Sequence, residues 1–231
     1  MKNMLRTVGH YPGVLFLVLM VWVVFNLMSP PSGVAQDESV PQIIAAKLQK
    51  TYERTTTFQA DFQQVTSMKL SRLERKGAGY MVISKPGLMR WDYREPDQQV
   101  LICDGKQVSM YFAKSSQMIV MDAREYLKSD VTYAFFSGQG DLLRDFVATT
   151  AGDDFCCGPP PDLRLIPKNP HPQVDHLDFW INGEGLVERL QITDHFDSLT
   201  ELAFTNIKLD QVVDATRFEF LPPSGTEIVE Q

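Results

Sequence analysis

Four histidines, three cysteines and a large set of aspartates offer the means for chemistry, and their spacing decides whether any is done. His176-Leu177-Asp178 has a spacing that metal ligands use, but no cysteine or second histidine is placed to complete a site, so no metal is expected. Asp194 and Asp197 flank a turn as a general acid and base could. Aspartate is favoured there anyway, because its side chain satisfies local backbone groups. In an oxidising compartment Cys103 could bridge to Cys156 or Cys157, closing a loop of about 54 residues and contributing about 3–4 kcal/mol. One thiol would be left over. With no C-x-x-C, and beside the rigid run Gly158-Pro159-Pro160-Pro161, the vicinal pair does not read as a redox or metal site. The sequence has no G-x-S-x-G elbow, no H-E-x-x-H and no phosphate-binding loop. Gly138-Gln139-Gly140 lacks the third glycine of a dinucleotide fingerprint. No enzyme and no cofactor are expected.

The N-terminus sets the compartment. Lys2 and Arg6 form a basic start, Val14 to Phe25 is unbroken apolar sequence, and Ser29-Pro30-Pro31-Ser32 precedes the small-residue site Gly33-Val34-Ala35. That order is a secretory leader, with residues 1–35 cleaved and 36–231 left as a single domain outside the cytoplasm. The apolar run is shorter than the roughly 20 residues that span a bilayer. The remaining 196 residues suffice for a sizeable core and carry 20 basic against 29 acidic side chains. That balance argues against nucleic acid and against adhesion to anionic lipid. It leaves neutral lipid open as a ligand.

The elements that must position any site begin with a helix. Ser39 can cap it, Pro41 suits its first turn, and Gln42 stands where a capping box needs it. Ile44, Leu48 and Tyr52 then recur every four residues on one face. From Phe58 the period changes to two: Phe58, Ala60 and Phe62 alternate with Gln59, Asp61 and Gln63, Val100 and Ile102 with Leu101 and Cys103, and Leu190 and Ile192 with Arg189, Gln191 and Thr193. Turn signals at Lys85-Pro86-Gly87, Glu95-Pro96-Asp97, Asp104-Gly105-Lys106, residues 182–185 and residues 194–197 separate these strands, so sequence neighbours should pair as an antiparallel meander. Residues 124–146, rich in aromatics around Gly138-Gln139-Gly140, suit short helices joined by a glycine hinge. Residues 152–161 read as a loop.

Both faces of several strands are apolar, as at Met81 and Val82, Leu88 and Met89, Met110 and Tyr111, and Ile119 and Val120. A sheet wet on one side would not read that way. The fold expected is mainly β (α+β), an incomplete antiparallel barrel whose hydrophobic concave face lies under a helical lid.

Five stretches in order then carry a resemblance. Phe58-Gln59-Ala60-Asp61-Phe62-Gln63-Gln64, the run from Gly79 to Tyr93, Asp104-Gly105-Lys106, Leu165-Ile166-Pro167-Lys168 and the run from Phe218 to Gly225 resemble the LolA family of periplasmic lipoprotein carriers. The resemblance implies a half-barrel lidded by helices, with a cavity for the acyl chains of lipoproteins. It implies as partners the acylated lipoproteins, an inner-membrane ABC-type lipoprotein-releasing complex and, where one exists, an outer-membrane lipoprotein receptor, with the carrier a monomer. It also implies that a family arginine, which holds the lid by donating to helix carbonyls, is replaced here by Lys85. Lysine presents three donors from one compact charge instead of a planar fork, so a looser closed state is expected.

Strand alternation puts Met89, Trp91 and Tyr93 on one face, the inward one, and Leu88, Arg90 and Asp92 on the other. Phe62, Met81 and Ile83 from adjacent strands, with Phe135, Phe136 and Leu142 from the helical stretch, complete the expected cavity. Six of the ten methionines lie between Met68 and Met121, an adaptable lining or simple gap filling. Two other functions stay open on the sequence: a non-transporting envelope protein of the same fold that senses lipid, and an unrecognised hydrolase.

Overall fold

A 15-residue amphipathic helix, α1 (Val40–Arg54), opens the computed structural model, which describes residues 39–124, 126, 135–136, 140–152 and 158–230. Proline sits in its first turn, where a missing N–H leaves nothing unpaired. Ala45, Leu48 and Tyr52 are buried and Ile44 is half-buried, as the four-residue spacing requires. The capping box is not made. Ser39 occupies the N-cap but its side chain accepts no capping bond, and Gln42 Oε1 is buried without a partner among the described residues. The helix start rests on backbone bonding, with Ile43 N–H donating to Ser39 O at 3.2 Å, and on the buried face below it.

Twelve strands follow among the described residues. They are β1 (Thr57–Met68), β2 (Leu73–Ser84), β3 (Leu88–Glu95), β4 (Gln99–Asp104), β5 (Gln107–Phe112), β6 (Gln117–Asp122), β7 (Phe146–Thr149), β8 (Leu163–Pro167), β9 (His176–Ile181), β10 (Val187–Thr193), β11 (Leu199–Leu209) and β12 (Glu227–Glu230). All belong to one sheet in the order β12-β6-β5-β4-β3-β2-β1-β11-β10-β9-β8-β7. Two meanders, β1 to β6 and β7 to β11, are therefore joined side by side through the antiparallel pair β1–β11. The sheet is open: β7 and β12 each have one neighbour. Every pairing is antiparallel except β12–β6, which is parallel. The incomplete barrel expected from the sequence is thus present as a twelve-stranded open sheet.

The helical interruption is placed differently at its end. Ala123, Arg124, Tyr126, Phe135 and Phe136 are helical, and α2 (Leu142–Asp145) is a single turn capped by Asp141, whose side chain accepts from Arg144 N–H at 2.8 Å. Phe146, expected in that stretch, opens β7 instead, because from there Ala148 faces the core while Val147 faces out, a period of two. Gly138 and Gln139 of the expected hinge, and Cys156 and Cys157 of the expected disulfide, lie outside the described residues. Cys103 is buried in the core row between Met89 and Val108.

Two covers explain the strands that are apolar on both faces. α1 and Phe135, Phe136 and Leu142 close one face. On the other, Val82 and Ile102 are buried on the side where the chain after β11 returns as the 3-10 turn η1 (Ala215–Phe218), with Phe218 buried and Phe220 against Tyr111 at 5.2 Å. Arg90 fastens this strap, donating from Nη1 to the carbonyls of Arg217 and Glu219 at 2.9 and 3.2 Å.

Candidate functional site

Cross-strand register builds the inner face in rows. Phe58, Ile83, Met89, Cys103, Val108 and Met121 are successive partners from β1 to β6, and Ala60, Met81, Trp91, Leu101 and Met110 form the next row. Side chains of paired residues share a face, so these rows are one apolar wall. The third row runs Phe62, Gly79, Tyr93. Gly79 supplies no side chain, and a Cβ there would lie 2.0 Å from Asp92 O, so β3 approaches as only glycine allows. With that place empty, Phe62 of β1 reaches Tyr93 of β3 across β2, the rings edge-on at 4.9 Å. Trp91 meets Phe62 at 4.8 Å.

A second aromatic group lies under α1. Tyr52 packs on Phe135 at 4.6 Å and Phe136 at 5.6 Å; Phe136 packs on Phe58 and Phe204 at 5.0 and 5.4 Å, and Phe135 on Phe179 at 5.4 Å. Tyr52 is anchored twice over. Its hydroxyl accepts from Val187 N–H at 3.2 Å, and its carbonyl, in the last turn of α1, accepts from Lys85 Nζ. Burial pushes the phenol pKa of Tyr52 up and that of the Lys85 ammonium down; for Lys85 the nearby Glu53 and Asp210 oppose the shift. Gln49 ties α1 to the next cover, donating to Gly140 O at 3.1 Å and accepting from Leu142 N–H at 3.0 Å.

Between the two groups lies a cavity of about 160 Å³. Ile83, Met89, Trp91, Tyr93, Leu101, Tyr126, Phe136, Ile192 and Leu202 line it, with Gln64 and Thr200 as the polar members. Of the nine residues expected from sequence, five line it: Ile83, Met89, Trp91, Tyr93 and Phe136. Phe62, Met81, Phe135 and Leu142 are buried in the surrounding core. Reasoning from strand β3 outward missed the far wall, Ile192, Thr200 and Leu202. The alternation of β10 held the clue, but the β1–β11 pairing that brings it close links residues over 130 apart. Tyr93 Oη donates to Gln64 Oε1 at 2.8 Å, and both residues also border an open groove of about 530 Å³ lined by Thr66, Met68, Arg75, Lys76 and Gly77. That hydrogen bond stands where the inner cavity meets the outer groove.

A larger groove on the opposite face, about 640 Å³, is walled by Gln59, Tyr80, Arg90, Arg94, Asp214 and Arg217. Its charges are largely satisfied within the fold: Asp92 takes Arg90 Nε at 2.8 Å and Arg217 Nη2 at 3.1 Å. It is a mixed groove under the strap, in which Val82, Val212 and Val213 stand among the charged side chains.

Asp178, Asp194 and Asp197, first suspected of chemistry, are engaged within the fold. Asp178 is buried and chelated by Arg164 at 2.7 and 2.8 Å, which leaves His176 at 3.6 Å as a minor partner. Asp194 accepts from the N–H groups of Phe196 and Ser198, both at 2.8 Å, and Asp197 takes a left-handed φ of 55° in the same turn. Among the described residues no group of three or more histidine, cysteine or carboxylate side chains could hold a metal.

A family described as Outer membrane lipoprotein carrier protein LolA matches residues 53–221, from the end of α1 through the strap. The chain belongs to the LolA family. Relatives named Outer-membrane lipoprotein carrier protein agree with it: that of Nitrosomonas europaea is 31% identical over 186 residues, covering 80% of this chain and 88% of its own. That of Chromohalobacter salexigens is 31% identical over 193 residues, covering 81% and 87%. An uncharacterized conserved protein from Thermus thermophilus shares the fold at a TM-score of 0.51 and 12% identity, over 82% of this chain and 98% of its own. No catalytic family is among these matches. The LolA match runs over all the strands that line the cavity.

Proposed function

We propose that this LolA-family protein is a periplasmic carrier that takes up the acyl chains of lipoproteins at the inner membrane and delivers them to the outer membrane. On this reading residues 1–35 are the cleaved leader and residues 36–231 the working domain. The cargo is handed over by an inner-membrane ABC-type releasing complex and received at the outer membrane, by a receptor where one exists. The observation that carries the reading is the apolar cavity between two aromatic groups, covered by helices and bordered on one side by Gln64 and Tyr93.

Physical need points the same way. Each methylene moved from water contributes about 0.8 kcal/mol, so a dozen methylenes of one chain amount to roughly 10 kcal/mol, and an unaided lipoprotein would not cross water. A cavity near 160 Å³ is about the size that holds one benzene in an engineered core, far short of an acyl chain. Loading must therefore enlarge it. Phe135, Phe136 and Tyr52 fill the space while it is empty, and the contacts they give up on opening offset part of the cargo's burial. That keeps binding reversible. Lys85 holds the cover through one carbonyl of α1, and a lysine in place of a guanidinium fork makes that hold easier to break.

Expressed with its leader in a diderm periplasm, the protein should purify as residues 36–231 with acylated lipoprotein or its acyl chains bound, read by mass spectrometry. It should pass that cargo to outer-membrane vesicles. Protein free of acyl chains in cells rich in lipoprotein would end the carrier reading. Bound lipid that is never transferred would mark a sensor.

A further inference from the structure

The β1–β2 and β10–β11 hairpins of the sheet end side by side and present apolar residues to solvent. Ser67 of β1 pairs with Leu199 of β11, and Lys69 Nζ meets Asp197 Oδ2 at 2.6 Å, so the β1–β2 turn and the β10–β11 turn form one tip. At its apex Leu70 is 82% exposed, Phe196 67% and Leu73 45%. Turns normally carry small or polar residues, and Asp194 and Asp197 obey that rule in the second turn; Leu70 and Phe196 do not. Around Leu70 stand Lys69, Arg72, Arg75 and Lys76, four basic residues in eight against the acid Glu74, while Asp194 and Asp197 flank Phe196 in the second turn. Lys69 and Lys76 are engaged by Asp197 and Glu74. Arg72 and Arg75 are exposed.

We propose that this double-hairpin tip is a membrane-docking surface that dips Leu70, Leu73 and Phe196 into the acyl boundary of an anionic lipid leaflet while Arg72 and Arg75 contact its headgroups. Exposed aromatic and aliphatic side chains ringed by basic ones are the composition that seats a protein on such an interface. The chain as a whole is acidic, which argues against anionic surfaces, but the tip of β1–β2 reverses that sign locally. Position supports the same occupant. Met68, Arg75 and Lys76, at the base of the tip, also line the outer groove that meets the inner cavity at Gln64 and Tyr93. A tip held in the lipid would set that opening against the membrane, so chains could move between cavity and bilayer with little exposure to water. This inference rests on the carrier reading for its purpose and not for its test.

The test uses the purified protein and protein-free vesicles of phosphatidylethanolamine with phosphatidylglycerol, compared with phosphatidylcholine vesicles. The parent should sediment with the anionic vesicles and release at high salt. Leu70→Ser with Phe196→Ser should weaken that binding by at least about tenfold, and Arg72→Gln with Arg75→Gln should remove the preference for anionic lipid. Unchanged thermal melting would show that the variants still fold. Phe196→Trp should be quenched by brominated acyl chains when vesicles are present. Vesicle binding that is absent, or indifferent to all these substitutions, overturns the inference. Binding that appears only after a receptor protein is placed in the vesicles overturns it too, and reassigns the tip to a protein contact. A protein that takes up no acyl chains yet docks through the tip would remove the carrier reading and leave this surface standing.

Discussion

The two aromatic groups that bound the cavity are built from the same residue types and held in opposite ways. The group under α1 is buried, and its members come from distant parts of the chain: Tyr52 from the helix, Phe58 and Phe204 from strands, Phe135 and Phe136 from the stretch after β6. The group at the opening, Phe62, Trp91 and Tyr93, comes from β1 and β3 on either side of β2 and is set by register, with Tyr93 partly exposed and bonded to Gln64. One group is completed by the helical cover; the other is set within the sheet. On the proposed carrier reading the cover side would yield on loading and the sheet side would keep its shape.

The most severe way to break the rigid side is Gly79→Ala. Its Cβ would meet Asp92 O at 2.0 Å, which forces β2 and β3 apart and separates Phe62 from Tyr93. A loss above about 4 kcal/mol is expected, seen as failure to recover folded protein or as a collapsed urea midpoint. Phe136→Ala attacks the yielding side. It should cost about 3–5 kcal/mol and enlarge the cavity, so urea unfolding should shift early while an apolar dye binds more tightly. A Phe136→Ala protein as stable as its parent would show that the cover is not packed as described. Tyr93→Phe keeps the ring and removes one donor, leaving Gln64 Oε1 short of a partner. About 1 kcal/mol and faster dye entry are expected, with the aromatic trio intact.

Lys85→Arg is the smallest change and sharpens the comparison through pH. Because burial lowers the Lys85 pKa, the unfolded chain holds more protons than the folded one between that lowered value and the ordinary lysine value. Stability contributed by this residue therefore rises with pH across that alkaline window. Arginine stays charged in both states, so thermal melting of Lys85→Arg should lack the rise, and its dye access should slow. Tyr52 pulls the other way at high pH, since its phenol resists ionisation only when folded, and the difference between the two proteins cancels it.

Local pattern made much of this legible. Alternation over residues 88–93 put Met89, Trp91 and Tyr93 on the inner face, and turn residues placed the hairpins, because both signals act over a few residues. What stayed hidden depends on distance. The two meanders meet through β1 and β11, so the far wall at Ile192, Thr200 and Leu202 could not be assigned from either strand alone. Phe146 read as helical because its neighbours Leu142 and Leu143 are, and only pairing with Pro167 makes it a strand residue. The unmade capping box shows the same limit: Ser39 and Gln42 have the right types and spacing, yet Ser39 makes no capping bond and Gln42 Oε1 is buried without a partner among the described residues.

β12 is four residues long, yet it lies along β6, whose own sequence is Gln-Met-Ile-Val-Met-Asp. A bare margin of that composition would invite a second molecule to zip on. With β12 laid along it in parallel and Glu227 and Glu230 at either end, that margin is finished by a short acidic selvedge, the form of edge that discourages pairing between copies.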